Sequence, residues 1–123
     1  MQNISKTPLY GRDLFEYMSN FKYILNSHAD FDINFAVNYR VFESLSLGCL
    51  LFTDINKKVS EYFRDEEHLI TYSSVQDLFE KINYFKKNEK KAAEISKNGY
   101  QLIQNKHTTL IRLKEFKKIL NIN

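Results

Sequence analysis

The chain has 123 residues, 43% hydrophobic and 15% aromatic, which suits one packed domain and excludes wholesale disorder. Eighteen Lys and Arg against fifteen Asp and Glu give a net charge of +3, mildly basic and well short of a strongly nucleic-acid-binding balance. One cysteine excludes an internal disulfide framework and a multi-cysteine metal site, and three glycines with one proline are too few for the turns of an all-β sandwich or barrel.

Residues 1–9 read as irregular, with Pro8 in a loop. Leu14, Phe15, Met18 and Phe21 recur at helical spacing, so a helix is expected from Gly11 to about Asn20. A short strand fits Lys22 to Asn26. Residues 28–37 show no clean period and read as a loop containing Asp30, Asp32 and Asn34. Asn38 is a good N-cap for a helix from Tyr39 to Leu47, with Val41, Phe42 and Leu45 on one side. Gly48 sits where a left-handed C-terminal residue belongs. Cys49 to Thr53 is apolar on both faces, the mark of a buried strand in a parallel sheet, and Asp54 closes it. A helix is expected from Asn56 to about Phe63, with Val59 and Tyr62 or Phe63 inward, then a strand over Leu69–Tyr72. Ser73 or Ser74 caps a helix running to about Lys87, whose stripe is Val75, Leu78, Phe79, Ile82 and Phe85. Another begins at about Glu89 and reaches Lys97 or Asn105. Thr108 caps the last, with Leu110, Leu113, Phe116 and Leu120 inward.

Helices alternating with three strands imply an α/β fold, a short parallel sheet flanked by helices, with extra helices at the C-terminus. Flanking strands of a complete nucleotide-binding half-domain are missing. The chain is therefore expected to be a partial Rossmann-like domain, the C-terminal part of something larger. No apolar run nears the roughly 18 residues of a membrane span. Met1 to Lys6 lacks the pattern of a secretory signal, so a cytoplasmic location is the default. Lysines 86, 87, 90, 91, 97, 114, 117 and 118 alternate with glutamates and have no aromatic stacking platform beside them. They read as a solvated face rather than a nucleic-acid surface, with attraction to anionic lipid as a weaker alternative.

In open α/β sheets ligands bind outside the carboxyl ends of the strands, which here are Asn26 to Asp30, Thr53-Asp54 and Thr71 to Ser74. The start of the helix at Asn38, Tyr39 and Arg40 offers free N–H groups and a partial positive charge, a fit for phosphate. Arg40 in that first turn is disfavoured by the dipole until an anion binds. Glu43 shares its face and suits two neighbouring sugar hydroxyls. The competing reading is an Arg40–Glu43 surface pair. His28, at the same edge, either bonds a phosphate or sugar or has no role. Tyr72-Ser73-Ser74, at the last strand end, either meets a nucleotide through a hydroxyl or backbone amide or belongs to an ordinary helix cap. His68 is expected exposed, His107 is expected to dock the last helix, and Cys49 is expected to be an inert core thiol. The histidines lack ligand spacing for zinc. Asp54 superficially suits a phosphoacceptor at a strand end, but the acidic pair and lysine that a receiver domain needs are not in order.

The run from Arg40 through Glu43, Gly48 and Leu50-Leu51-Phe52-Thr53-Asp54 resembles the group 1 glycosyltransferases, especially their spore-maturation-like branch. In that branch an R-x-F-E segment leads to G-x and two hydrophobic residues. Val59 to Phe63 with Glu66 to Tyr72, the helix from Ser74 to Ile82, and Gly99 followed by His107-Thr108 and Arg112 are similar to later segments of the family, in order. The resemblance covers about residues 10–120. It implies the C-terminal, donor-binding domain of a two-Rossmann-domain (GT-B) enzyme that transfers a sugar from a nucleoside-diphosphate sugar to a glycan, lipid or protein. It also implies metal-independent chemistry with no cofactor besides the donor substrate, and an acceptor-binding N-terminal domain absent from this chain. Donor-binding residues are then Asn38, Tyr39, Arg40, Glu43, His28, Asp30 and Ser73, with no catalytic residue assigned. Many relatives carry a second glutamate where this chain has Phe35; Asp30 or Asp32 is a candidate for its role. The alternative is a non-catalytic Rossmann-like binding module.

Overall fold

The computed structural model describes residues 7–28 and 37–121. In chain order it has α1 (Gly11–Met18), β1 (Tyr23–Asn26), α2 (Tyr39–Ser46), β2 (Leu50–Asp54), α3 (Lys57–Tyr62), β3 (Ile70–Tyr72), α4 (Val75–Lys87), α5 (Glu89–Lys106) and α6 (Thr109–Ile119). The strands form one parallel sheet in the order β1-β2-β3. The expected α/β order and parallel pairing are both present. Tyr23 pairs with Leu50 and Asn26 with Thr53, while Phe52 pairs with Ile70 and Asp54 with Tyr72.

Alternation along β2 sends its side chains to opposite faces, and each face has its own core. Leu51 joins Val41 and Leu45 of α2, Val59 of α3, Phe63, Leu69 and Ile103 of α5. Leu50 and Phe52 join Ile70, Leu78 and Phe85 of α4, and Ala92 and Ile95 of α5. The amino half of α5 thus belongs to one core and its carboxyl half to the other. Burying each such side chain contributes about 1.5–3 kcal/mol, so the sheet is held from both sides, as its apolar middle strand requires.

Local chemistry fixes the ends. Gly48 adopts φ 71° just past the C-cap Leu47 of α2, as its left-handed placement predicts. Asn56 caps α3 by accepting from the N–H groups of Lys58 and Val59. Ser74 caps α4 and Thr108 caps α6 through their hydroxyls. Gly99 packs α5 against the chain: a Cβ there would meet the carbonyl oxygen of His68 and come within 2.9 Å of Leu45 Cδ2.

Three expectations are corrected. Val75 and Phe79 of α4 are exposed while Leu78 and Phe85 are buried, because the sheet accepts a narrower strip of that helix than its periodicity offers. Helix α6 buries no side chain; Leu110, Leu113, Phe116 and Leu120, expected inward, lie in solvent, with Phe116 58% exposed. Periodicity marks an apolar face but does not supply a surface to cover it. Tyr62 is also exposed, leaving Phe63 as the inward aromatic of that pair. Among the described residues no helix is long and apolar enough to cross a membrane.

Candidate functional site

The carboxyl ends of the three strands carry a connected polar network. Asn26 ends β1 and is buried; its Nδ2 donates to Thr53 Oγ1 at 3.0 Å. Thr53 in turn donates to Asp54 Oδ1 at 3.2 Å. Tyr72 of β3 reaches across the sheet, its hydroxyl donating to the carbonyl of Asn26 at 2.9 Å. The parallel register makes this possible, because it sets Asn26 beside Thr53 and Asp54 beside Tyr72.

His28 lies two residues beyond β1 and is 6% exposed. Its backbone N–H donates to both carboxylate oxygens of Asp54, at 3.1 and 3.2 Å, and its Nδ1 lies 2.7 Å from Oδ1. The opposite ring nitrogen, Nε2, is buried and has no hydrogen-bond partner among the described residues. His28 is therefore a built part of the sheet's edge rather than a free loop side chain. Asn26, Thr53, Asp54 and Tyr72 lie at the strand ends that the sequence marks as the ligand edge, but their bonds to one another were not expected. Asn26 and Asp54 were visible as polar ends to apolar strands; what they hold depends on register.

Asn38 precedes α2 as expected, yet its side chain caps none of the helix's amides. It turns back to β1 instead, Nδ2 donating to Asn26 Oδ1 at 3.1 Å and to the Ser27 carbonyl at 3.5 Å. The first turn of α2 also has no acidic residue, so neither device compensates its amide dipole. Tyr39 is 85% exposed. Arg40 and Glu43 do pair, Nη1 to Oε2 at 3.0 Å, and both stay partly accessible; Nη1 also lies 3.1 Å from the sulfur of Met18. Five N–H donors on a guanidinium and about four lone-pair sites on a carboxylate leave both groups capacity beyond that pair.

Ser73 lies in an ordinary capping arrangement. Its N–H and hydroxyl donate to Asp77 Oδ2 at 2.9 and 3.2 Å, and Lys81 also reaches Asp77 at 3.1 Å. These bonds, the Ser73 amide first, hold the Asp77 carboxyl below its ordinary pKa. Asp30, Asp32 and Phe35 lie outside the described residues.

The remaining candidates are structural. His107 packs its ring on Phe42, Tyr62 and Phe63 and lies 2.8 Å from Arg112, docking the start of α6 as expected. His68 was expected exposed, but its side chain is only 14% exposed. A turn explains this, since its Nδ1 accepts from the Arg64 N–H at 3.0 Å. Cys49 is buried beside the Phe21 carbonyl, and burial raises its thiol pKa, consistent with an unreactive core thiol. Among the described residues no group of three His, Cys, Asp or Glu side chains is arranged to hold a metal.

A family model described as "Glycosyl transferase-like" matches residues 3–118. Among solved structures, the fold is similar to the C-terminal domain of a glycosyl transferase group 1 family protein, LpcC, from Francisella tularensis. The TM-score is 0.72 at 14% sequence identity, covering 85% of this chain and 53% of that one. This chain thus spans about half the length of the matched structure. A search among curated proteins found no match.

Proposed function

Because the chain belongs to the glycosyl transferase-like family, we propose that it is the donor-binding part of a two-domain glycosyltransferase and takes a nucleoside-diphosphate sugar at the carboxyl end of its sheet. The observation that carries this reading is the uncompensated start of α2 beside the network at the ends of β1 and β2. The amide dipole favours an anion there, and the unused donors of Arg40 suit diphosphate oxygens. Glu43 suits the ribose hydroxyls, with Arg40 keeping its carboxylate in place. Tyr39, exposed at the helix start, suits stacking on the base. Asp30 and Ser73 are proposed as further donor contacts.

In the transfer step, negative charge develops on the departing diphosphate. A fixed helix dipole and a guanidinium stabilise such charge without reorganisation. This is the chemistry the proposal assigns to α2 and Arg40, with no metal or further cofactor required. The acceptor, a glycan, lipid or protein, is proposed to come from a second domain. The R-x-F-E run supports placing the chain with the spore-maturation-like branch.

Thermal-shift titration with UDP, GDP, ADP and CMP tests the reading. One of them is expected to raise the midpoint; ligand at a hundred times its Kd stabilises by about 2.7 kcal/mol. Glu43→Ala is expected to weaken that ligand about tenfold or more, since hydrogen bonds to a charged acceptor contribute about 1.5–3 kcal/mol. No shift with any nucleotide at millimolar concentration removes the donor-binding assignment. Unchanged affinity in the variant removes Glu43 from it.

A further inference from the structure

A cavity of about 450 Å³ opens at the amino end of the sheet, the end opposite the proposed donor site. Lys22 and Tyr23, where β1 begins, line one part of it, and the first two-thirds of α5 lines the rest. Its helical residues stand at positions 89, 92, 93, 96, 97 and 100, which is the i, i+3, i+4, i+7, i+8, i+11 pattern of a single helix face. The volume falls in the range of about 300–1,000 Å³ that accepts small ligands.

The walls are apolar and partly fixed. Ala92 and Ala93 end at Cβ, so this face of α5 leaves room where larger side chains would fill it. Tyr23 cannot swing freely, because its hydroxyl donates to the Phe85 carbonyl at 3.3 Å and its ring stands edge-on to Phe52 with centroids 5.9 Å apart. Tyr100 adds a second ring, 41% exposed. A wall already in place costs little further ordering when a ligand arrives.

The polar groups of the lining are mostly cationic. The Ser96 hydroxyl is occupied, donating to the Ala92 carbonyl at 2.9 Å. Lys22 Nζ lies 3.8 Å from Glu89 Oε1, with both side chains largely in solvent. An exposed pair of that kind is weak and readily exchanged. Lys97 has no ion pair among the described residues. Lys86, Lys87 and Lys90 line an adjoining cavity that shares Glu89, so positive charge continues beyond the mouth. Apolar walls beside ammonium groups complement a molecule with a hydrocarbon body and an anionic end, and they disfavour a cation.

We propose that this cavity is a second ligand site, for an anionic amphiphile. The hydrocarbon chain lies against Ala92, Ala93 and the two tyrosine rings, and Lys22 and Lys97 meet the anionic head. The site is independent of the donor-site reading, since none of the residues assigned to the donor lines it.

Calorimetry on the full chain tests it with decanoate as probe, against decanol and decyltrimethylammonium, which share its chain length. Decanoate is expected to bind at least about threefold more tightly than decanol, and the cation more weakly than either. Amide spectra are expected to shift at Ala92, Ala93 and Lys97. Ala93 is exposed, so Ala93→Trp fills the cavity from the helix surface without disturbing a core; it is expected to lower decanoate affinity about tenfold or more. The Lys22→Gln, Lys97→Gln double variant is expected to bring decanoate down to the affinity of decanol and to leave decanol unchanged. No decanoate binding at millimolar concentration overturns the proposal, as do equal affinities for decanoate and decanol, affinity unmoved by Ala93→Trp, or shifts confined to α6. Adsorption to phosphatidylglycerol vesicles without decanoate binding also overturns it, assigning the lysines to a membrane surface. If the chain binds decanoate but none of UDP, GDP, ADP and CMP, the donor-site reading fails and this site stands.

Discussion

His68 and His107 show what burial does to a single titratable ring, away from the proposed donor site. Desolvation lowers the pKa of His68 below the ordinary histidine value. It does the same for His107, with the Arg112 guanidinium adding to the effect. The folded state therefore binds fewer protons than the unfolded chain at mildly acidic pH. The stability these groups contribute is complete above the unfolded value of about 6.5. It is lost as pH falls through that value toward the lowered folded ones. The urea midpoint is expected to drop between about pH 7 and about pH 5, and the drop is expected to shrink in the His68→Gln, His107→Gln double variant. A drop of the same size in that variant would assign the acid sensitivity to other groups. The two rings also differ in how readable they were. His107 precedes a recognisable cap at Thr108, so a docking role follows from sequence. The burial of His68 depends on an Arg64 N–H brought back by a turn, which no spacing rule announces. Asn38 is the mixed case: its position at the helix start follows from residue type, while its side chain answers to Asn26, twelve residues earlier in the chain.

At the scale of elements, α5 and α6 contrast. Helix α5 has buried positions along its length, Ala92, Ile95, Gly99 and Ile103, and its only glycine sits against the His68 carbonyl and Leu45. Replacing a mid-helix glycine by alanine ordinarily gains about 1 kcal/mol of helix propensity. Here the added methyl overlaps a backbone carbonyl that cannot swing aside, and overpacking of this kind costs about 1–3 kcal/mol. Gly99→Ala is therefore expected to lower the denaturation midpoint, and a raised midpoint would show that α5 shifts freely. The strand and helix order was legible because alternation and 3.6-residue periodicity are local properties. Which face of α4 or α6 is covered was not legible, because that depends on neighbours distant in sequence. Leu78 and Val75 carry the same kind of apolar signal, yet the sheet reaches only the former.

For the whole molecule, three parallel strands with a core on each face reproduce the fold of about half of a solved glycosyltransferase C-terminal domain. Part of the proposed site is drawn from segments between elements, at His28 and Asn38, where loop geometry rather than periodicity decides what meets. The family likeness was legible in the run from Arg40 to Asp54 because it joins a helix, a turn glycine and a buried strand in fixed order. The placement of α5 across both cores has a consequence for how the chain opens. Neither core can come apart without displacing that helix, so the β2 amides are expected to exchange with solvent only through global unfolding, whereas α6, with no buried side chain, opens locally. Dilute protease is therefore expected to trim residues beyond His107 first and to leave a fragment whose β2 amides keep their protection. Cleavage within α5 at a comparable rate would show that the two cores open independently.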